Sequence, residues 1–202
     1  MGSVDIRVVR NELKFPIRSL QNLAFYNAKR KFEAKKRAMI EAFKNHPVTV
    51  EIEGGPDSSN NSGTTDGYGN IFSFIGFDAG TNPLDVVFES LERDTQVTER
   101  VKISSTGDIT IFSFDVEAPS LEDLGALTPY PYGWNSGSWL VDIEYGIPGL
   151  RYYLYKKGEE IAASHSGPAI QVGSVVRGNE SFHRIKYLSE IFKAFFESLQ
   201  LE

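Results

Sequence analysis

Residues 97–117, VTERVKISSTGDITIFSFDVE, decide the fold class. Residues 97–104 and 109–117 are two strand-like runs, and Ser105-Thr106-Gly107-Asp108 between them has the composition of a hairpin turn. In the second run Phe112, Phe114 and Val116 face one way while Ser113, Asp115 and Glu117 face the other, because successive side chains of a strand alternate. The pattern predicts a half-buried antiparallel sheet, apolar on one side, which needs a covering layer.

Two amphipathic helices can supply that layer. After a short strand over residues 4–9, Ser19 is a candidate N-cap for a helix running to about Asn45, where Pro47 stops it. Phe25, Ala28, Phe32, Met39 and Phe43 recur at helical spacing along a rod of roughly 40 Å. In the last thirty or so residues Phe182, Ile185, Leu188, Phe192, Phe195 and Leu199 line one face of a second helix, capped by Asn179 or Ser181. The expected fold is α+β, a twisted antiparallel sheet packed against a long N-terminal helix and a C-terminal helix. At 202 residues one domain spanning 1–202 is expected.

Between these elements, residues 48–53 alternate as a strand and residues 71–77 read as a buried strand. Residues 83–91 place Leu84, Val87, Phe88 and Leu91 on one helical face. Residues 119–138 read as irregular, and Trp139, Leu140, Ile143 and Ile147 suggest a short helix closed near Gly146. Residues 150–155 fit strand or helix. Residues 54–70, GGPDSSNNSGTTDGYGN, lack any aliphatic side chain, so they and the loop at 163–173 are expected to be flexible until a partner orders them. The tetrapeptide IFSF occurs at 71–74 and 111–114, but nothing around the two copies matches, so sheet chemistry explains it better than duplication.

Several chemistries are weakly supported. The chain has no cysteine, which removes disulfides, thiolate metal sites and cysteine nucleophiles. No apolar run reaches signal-peptide or membrane-span length, which suits folding in a reducing cytoplasm. Ser164-His165-Ser166 puts hydroxyls beside an imidazole, yet neighbours in sequence seldom point at one another and no G-x-S-x-G turn exists. His46, His165 and His183 are scattered, and Asp57 and Asp66 do not fit a calcium loop. Gly67-Tyr68-Gly69 does not open a helix as a phosphate cradle requires. No cofactor is implied and no enzyme is expected. The rings of Tyr130, Tyr132, Trp134 and Trp139 keep one alternative open, a carbohydrate-binding module or glycosidase-like enzyme; filling a core or a protein interface is the other use of such rings.

Charge is distributed unevenly. Residues 29–37, KRKFEAKKR, hold six basic residues against Glu33 and carry +5, so the rest of this net −6 chain carries −11. Lys29, Arg30, Lys31, Lys35, Lys36 and Arg37 form a solvated helix face, a surface that meets an acidic patch on a neighbouring subunit, or one that passes close to DNA without reading its sequence.

His46-Pro47-Val48-Thr49, the Ser/Asn/Gly loop at 58–69 and Asn70-Ile71-Phe72-Ser73-Phe74-Ile75-Gly76-Phe77 together resemble the neck and tail-completion (head-tail joining) proteins of tailed bacteriophages. So do WLVDIEYGIPGL at 139–150 and Ser164-His165-Ser166-Gly167-Pro168-Ala169-Ile170-Gln171. The resemblance implies a virion structural protein, synthesised in the host cytoplasm, that forms a homo-oligomeric ring, most often sixfold, and terminates or completes the tail. Its partners would be connector or neck proteins on one side and tail tube or sheath proteins on the other, with no membrane. Lys29, Arg30, Lys31, Lys35, Lys36, Arg37, Asp57, Asp66, Tyr68, Trp134 and His165 are then the candidate subunit or partner contacts. A cytoplasmic assembly chaperone or adaptor is a third reading.

Overall fold

The computed structural model describes residues 2–9, 16–65, 70–106, 109–131, 136–146 and 185–200. The chain divides into two compact units, one built from residues 1–42, 90–119 and 190–202 and the other from residues 43–89 and 120–189.

In the first unit β1 (Gly2–Val9), β2 (Gln96–Thr106) and β3 (Ile109–Glu117) form an antiparallel sheet in the order β1-β3-β2. The β1–β3 register runs unbroken from Gly2 opposite Val116 to Val9 opposite Ile109, whereas β2 slips against β3 between Val97 and Val101. Phe112, Phe114 and Val116 are buried on one face, with Val4 opposite Phe114 beside them, as the alternation in sequence requires. That face is covered by α1 (Ile17–Lys44) and α7 (Leu188–Gln200). Phe25 of α1 sets its ring 5.3 Å from that of Phe114, and Phe32 meets Phe195 of α7 edge-on at 6.1 Å. Each buried ring removes enough apolar surface from water to contribute about 2 kcal/mol. A Cβ on Gly2 would collide with the ring of Phe196, so glycine is what lets the start of β1 and α7 come this close. The α+β class, the antiparallel sheet and the two helices are as expected.

The first helix begins at Ile17, two residues before the expected cap, because the carbonyl of Pro16 already accepts from Ser19 and Leu20 at 2.9 and 3.2 Å. At the other end of the chain α7 starts only at Leu188, leaving Ile185 ahead of the helix; Phe182, Asn179 and Ser181 lie outside the described residues.

Two expected strands of the second unit are helices. Residues 48–53 belong to α2 (Pro47–Glu53), where Pro47 does not merely end α1 but occupies the first turn of the next helix. The His46 imidazole caps it, Nδ1 accepting from the Val48 N–H at 3.2 Å. Val48 and Ile52, four apart, are buried while Val50 is 43% exposed; a strand would have put all three on one face. Residues 71–75 form α3 (Ile71–Ile75), capped by Asn70, whose Oδ1 accepts from Ser73 at 2.8 Å. Gly76, at φ 89°, ends it in the left-handed conformation that glycine tolerates.

Residues 85–94 form α4 (Asp85–Asp94); of the face read from the sequence, Val87, Leu91 and Leu84 just ahead of the helix are buried, and Phe88 is half-buried. The stretch expected to be irregular contains α5 (Leu121–Ala126), started by a reciprocal capping box between Ser120 and Asp123. Helix α6 (Trp139–Tyr145) closes at Gly146 as expected. The ambiguous run at 150–155 and the loop at 163–173 lie outside the described residues.

Candidate assembly surface

The basic stripe lies on α1 within the first unit, and it is not uniform. Lys29, Arg30 and Arg37 are exposed, while Lys31, Lys35 and Lys36 are half-buried. Arg30 and Arg37 are seven residues apart and share one side of the helix, to which Leu23 and Tyr26 also belong. Leu23 is 56% and Tyr26 66% exposed, so two large apolar side chains stand in water next to the guanidinium groups. Arg37 donates from Nε to the Glu33 carbonyl at 3.3 Å, and among the described residues Lys29, Arg30, Lys31 and Lys35 form no ion pair. Tyrosine and arginine side by side, with an aliphatic neighbour, are a composition favoured at protein interfaces. Leu23 and Tyr26 escaped the sequence reading; their signal was that both fall off the apolar stripe set by Phe25, Ala28 and Phe32.

Lys36 has a different task. Its ammonium donates to the carbonyls of Glu92 and, at 2.9 Å, Thr95, with the Glu92 carboxylate 3.9 Å away. It thereby satisfies carbonyls at the end of α4 that have no partner within the helix, where a positive charge also meets the negative end of the helix dipole. Its side chain is only 13% exposed, so it is spent on the fold rather than offered to a partner. Close by, the Arg93 guanidinium and the Ser90 hydroxyl bond the Asp94 carboxyl and hold it below the usual carboxylate range.

The segment expected to be the other contact region lies in the second unit, and buried polar groups organise its described part. Glu51, fully buried on α2, accepts from the Ser62 N–H at 2.7 Å and the Ile71 N–H at 2.6 Å, one oxygen each. Asn70 Nδ2 donates to the carbonyls of Gly55, Pro56 and Ser58 at 3.3, 2.9 and 2.8 Å. Hydrogen bonds to a buried carboxylate and amide supply here what the missing aliphatic side chains do not. Asp57 is exposed at the end of a single 3-10 turn, Gly55–Asp57. Asp66, Tyr68, Trp134 and His165 lie outside the described residues.

Of the four rings behind the carbohydrate reading, two are interior. Tyr130 is 6% exposed and donates to Asp142 Oδ2 at 2.8 Å; Trp139 is 2% exposed and meets Phe77 edge-on at 5.3 Å. Neither offers a face to a sugar. Tyr132 and Trp134 lie outside the described residues.

Tyr187 joins the interior of the second unit. It stacks on Phe43 at 5.8 Å, lies 4.6 Å from the His46 ring and shares a hydrogen bond with the Thr49 hydroxyl. Burial pushes its phenol above the ordinary value. Among the described residues no group of three histidine or carboxylate side chains is placed to hold a metal ion, and no helix is long and apolar enough to cross a membrane. Compared with known protein families, with curated proteins and with solved structures, the chain matches none of them.

Proposed function

We propose that this chain is a structural protein of the neck of a tailed phage, which assembles into a ring and completes or terminates the tail where it joins the head. The reading rests first on the resemblance carried by residues 46–49, 58–77, 139–150 and 164–171. The observation that carries it in the fold is the exposed side of α1, where Arg30 and Arg37 flank Leu23 and Tyr26 on a chain whose remaining residues are strongly acidic. A cationic face on an otherwise anionic subunit suits heterologous contacts, in which each copy presents one surface and receives another, and such contacts form a ring when the rotation from copy to copy closes. Lys29, Arg30 and Arg37 are the bonding charges in this proposal, with Lys36 excluded by its role at α4.

Two measurements test it. Light scattering and negative-stain imaging of the purified protein should find rings that weaken as salt rises, and mass spectrometry of purified particles should find the chain in them. A protein that stays monomeric and is absent from finished particles would overturn the proposal; rings in solution with absence from particles would favour the assembly-chaperone reading instead.

A further inference from the structure

The sheet has two outer strands, and they differ. Strand β2 is interrupted by its slip between Val97 and Val101 and displays Glu99, Arg100 and Lys102 to solvent. Bulges and charges of this kind block pairing with another chain. Strand β1 lacks such an interruption, and its two exposed charges, Asp5 and Arg7, are of opposite sign: its register to β3 is continuous over eight residues, it contains no proline, and among the described residues no strand pairs with its outer side.

Its side chains also complement themselves. On the face shared with Phe112 and Phe114 stand Val4, Ile6 and Val8, of which Val4 is fully buried and Ile6 and Val8 only half-buried. On the opposite face stand Asp5 and Arg7, both exposed, with the Ser3 hydroxyl 3.5 Å from the Asp5 carboxylate. When two copies of this strand run antiparallel about a two-fold axis at Ile6, Val4 lies opposite Val8 of the second copy and Ile6 opposite Ile6. On the other face Asp5 lies opposite Arg7 in both directions. Apolar meets apolar and each charge meets its opposite, the two arrangements that stabilise cross-strand pairs. The β2 strand paired with itself in the registers centred on Val101 or Lys102 would instead set Arg100 against Lys102 or Lys102 against Lys102.

We infer that β1 is a self-pairing edge, through which two copies of this chain join their sheets into one six-stranded sheet with order β2-β3-β1-β1-β3-β2. The contact is isologous and uses strand edges rather than the α1 face, so it stands or falls separately from the ring proposal. It buries the exposed parts of Ile6 and Val8 and satisfies the outer backbone groups of both strands.

Charge reversal tests the register in the full chain. Asp5→Arg alone or Arg7→Asp alone sets two like charges against each other in each dimer and should weaken self-association about tenfold or more. The double variant Asp5→Arg/Arg7→Asp restores both pairs and should restore association. Circular dichroism and thermal unfolding check that each variant folds, as exposed side chains predict. Because the chain lacks cysteine, Ile6→Cys provides a single thiol that should form a disulfide-linked dimer under mild oxidation, while Ile103→Cys on the other outer strand should not. Sedimentation that shows no association of the unmodified chain would overturn the inference. So would, in an Arg30→Glu/Arg37→Glu background that removes the α1 contact, association that survives both single reversals, or a double variant that stays as weak as the singles, the result expected if β1 instead docks on β2 of another copy.

Discussion

Within the second unit, Glu144 on α6 holds the segment Tyr187–Ser189 that leads into α7: one carboxylate oxygen accepts from the backbone N–H groups of Tyr187 and Ser189 at 3.1 and 2.8 Å, and the other accepts from the Ser189 hydroxyl at 2.8 Å. The residues are 43 and 45 positions apart in sequence, and Glu144 is only 7% exposed. A helix start normally finds its acceptor in the residue just before it; here a distant carboxylate supplies that acceptor and adds a negative charge at the positive end of the helix.

Replacing Glu144 by Ala leaves those donors without a partner in a buried site. The expected loss is about 3 kcal/mol, read as a lower urea midpoint, because unsatisfied buried donors cost more than the bond itself contributed. Glu144→Gln keeps an acceptor and should lose about half as much.

Glu51 plays the same part for the segment that precedes α3, with one oxygen for Ser62 and one for Ile71. Glu51→Gln can satisfy only one of the two N–H groups. Hydrogen exchange followed by mass spectrometry should show the amides around residues 58–65 exchanging about tenfold faster or more, with the β-sheet amides unchanged.

The hairpin and α1 were legible because long segments display their period: nine residues of alternation in β3, and apolar positions recurring over the 28 residues of α1. Residues 48–53 and 71–77 read as strands in the sequence although the structure makes helices there, because a run this short is compatible with either period. The decisive marks were flanking residues: Pro47 after His46, and Asn70 with Gly76 on either side of α3. The roles of Glu51, Glu144 and Lys36 left no sequence signal, since their partners lie 11 to 59 positions away and only the fold brings them together. Of the candidate contacts, the sequence placed Lys29, Arg30 and Arg37 on an open helix face, but it could not separate them from Lys36 or add Leu23 and Tyr26 to them.

Tyr187→Phe should cost about 1–2 kcal/mol, since the Thr49 hydroxyl loses its partner in a fully buried site. Adding Thr49→Val should recover part of the loss, because neither side then buries an unpaired hydroxyl. The phenol also predicts a pH response. Its folded-state value is raised above the ordinary value of about 10, so above that pH the unfolded chain releases a proton that the folded chain keeps. The native state then binds more protons, and its advantage is complete below about pH 10 and shrinks as pH rises. Urea unfolding at pH 8 and pH 11 should show a larger loss for the unmodified chain than for Tyr187→Phe; equal losses would count against burial of this ring.

Lys36 and its neighbours on α1 separate stability from assembly. Lys36→Met keeps the apolar stem but removes the donor to Glu92 and Thr95, and it should lower stability by about 1–2 kcal/mol. Arg30→Glu and Arg37→Glu change exposed side chains and should shift stability by no more than about 0.5 kcal/mol. Their effect belongs to association, since each reverses a charge beside Leu23 and Tyr26 on the surface proposed to meet an acidic neighbour. Rings should be lost in these two variants at moderate salt and retained in Lys36→Met once the temperature is lowered enough to keep it folded. The opposite pattern, rings sensitive to Lys36 and indifferent to Arg30 and Arg37, would move the interface off the exposed side of α1.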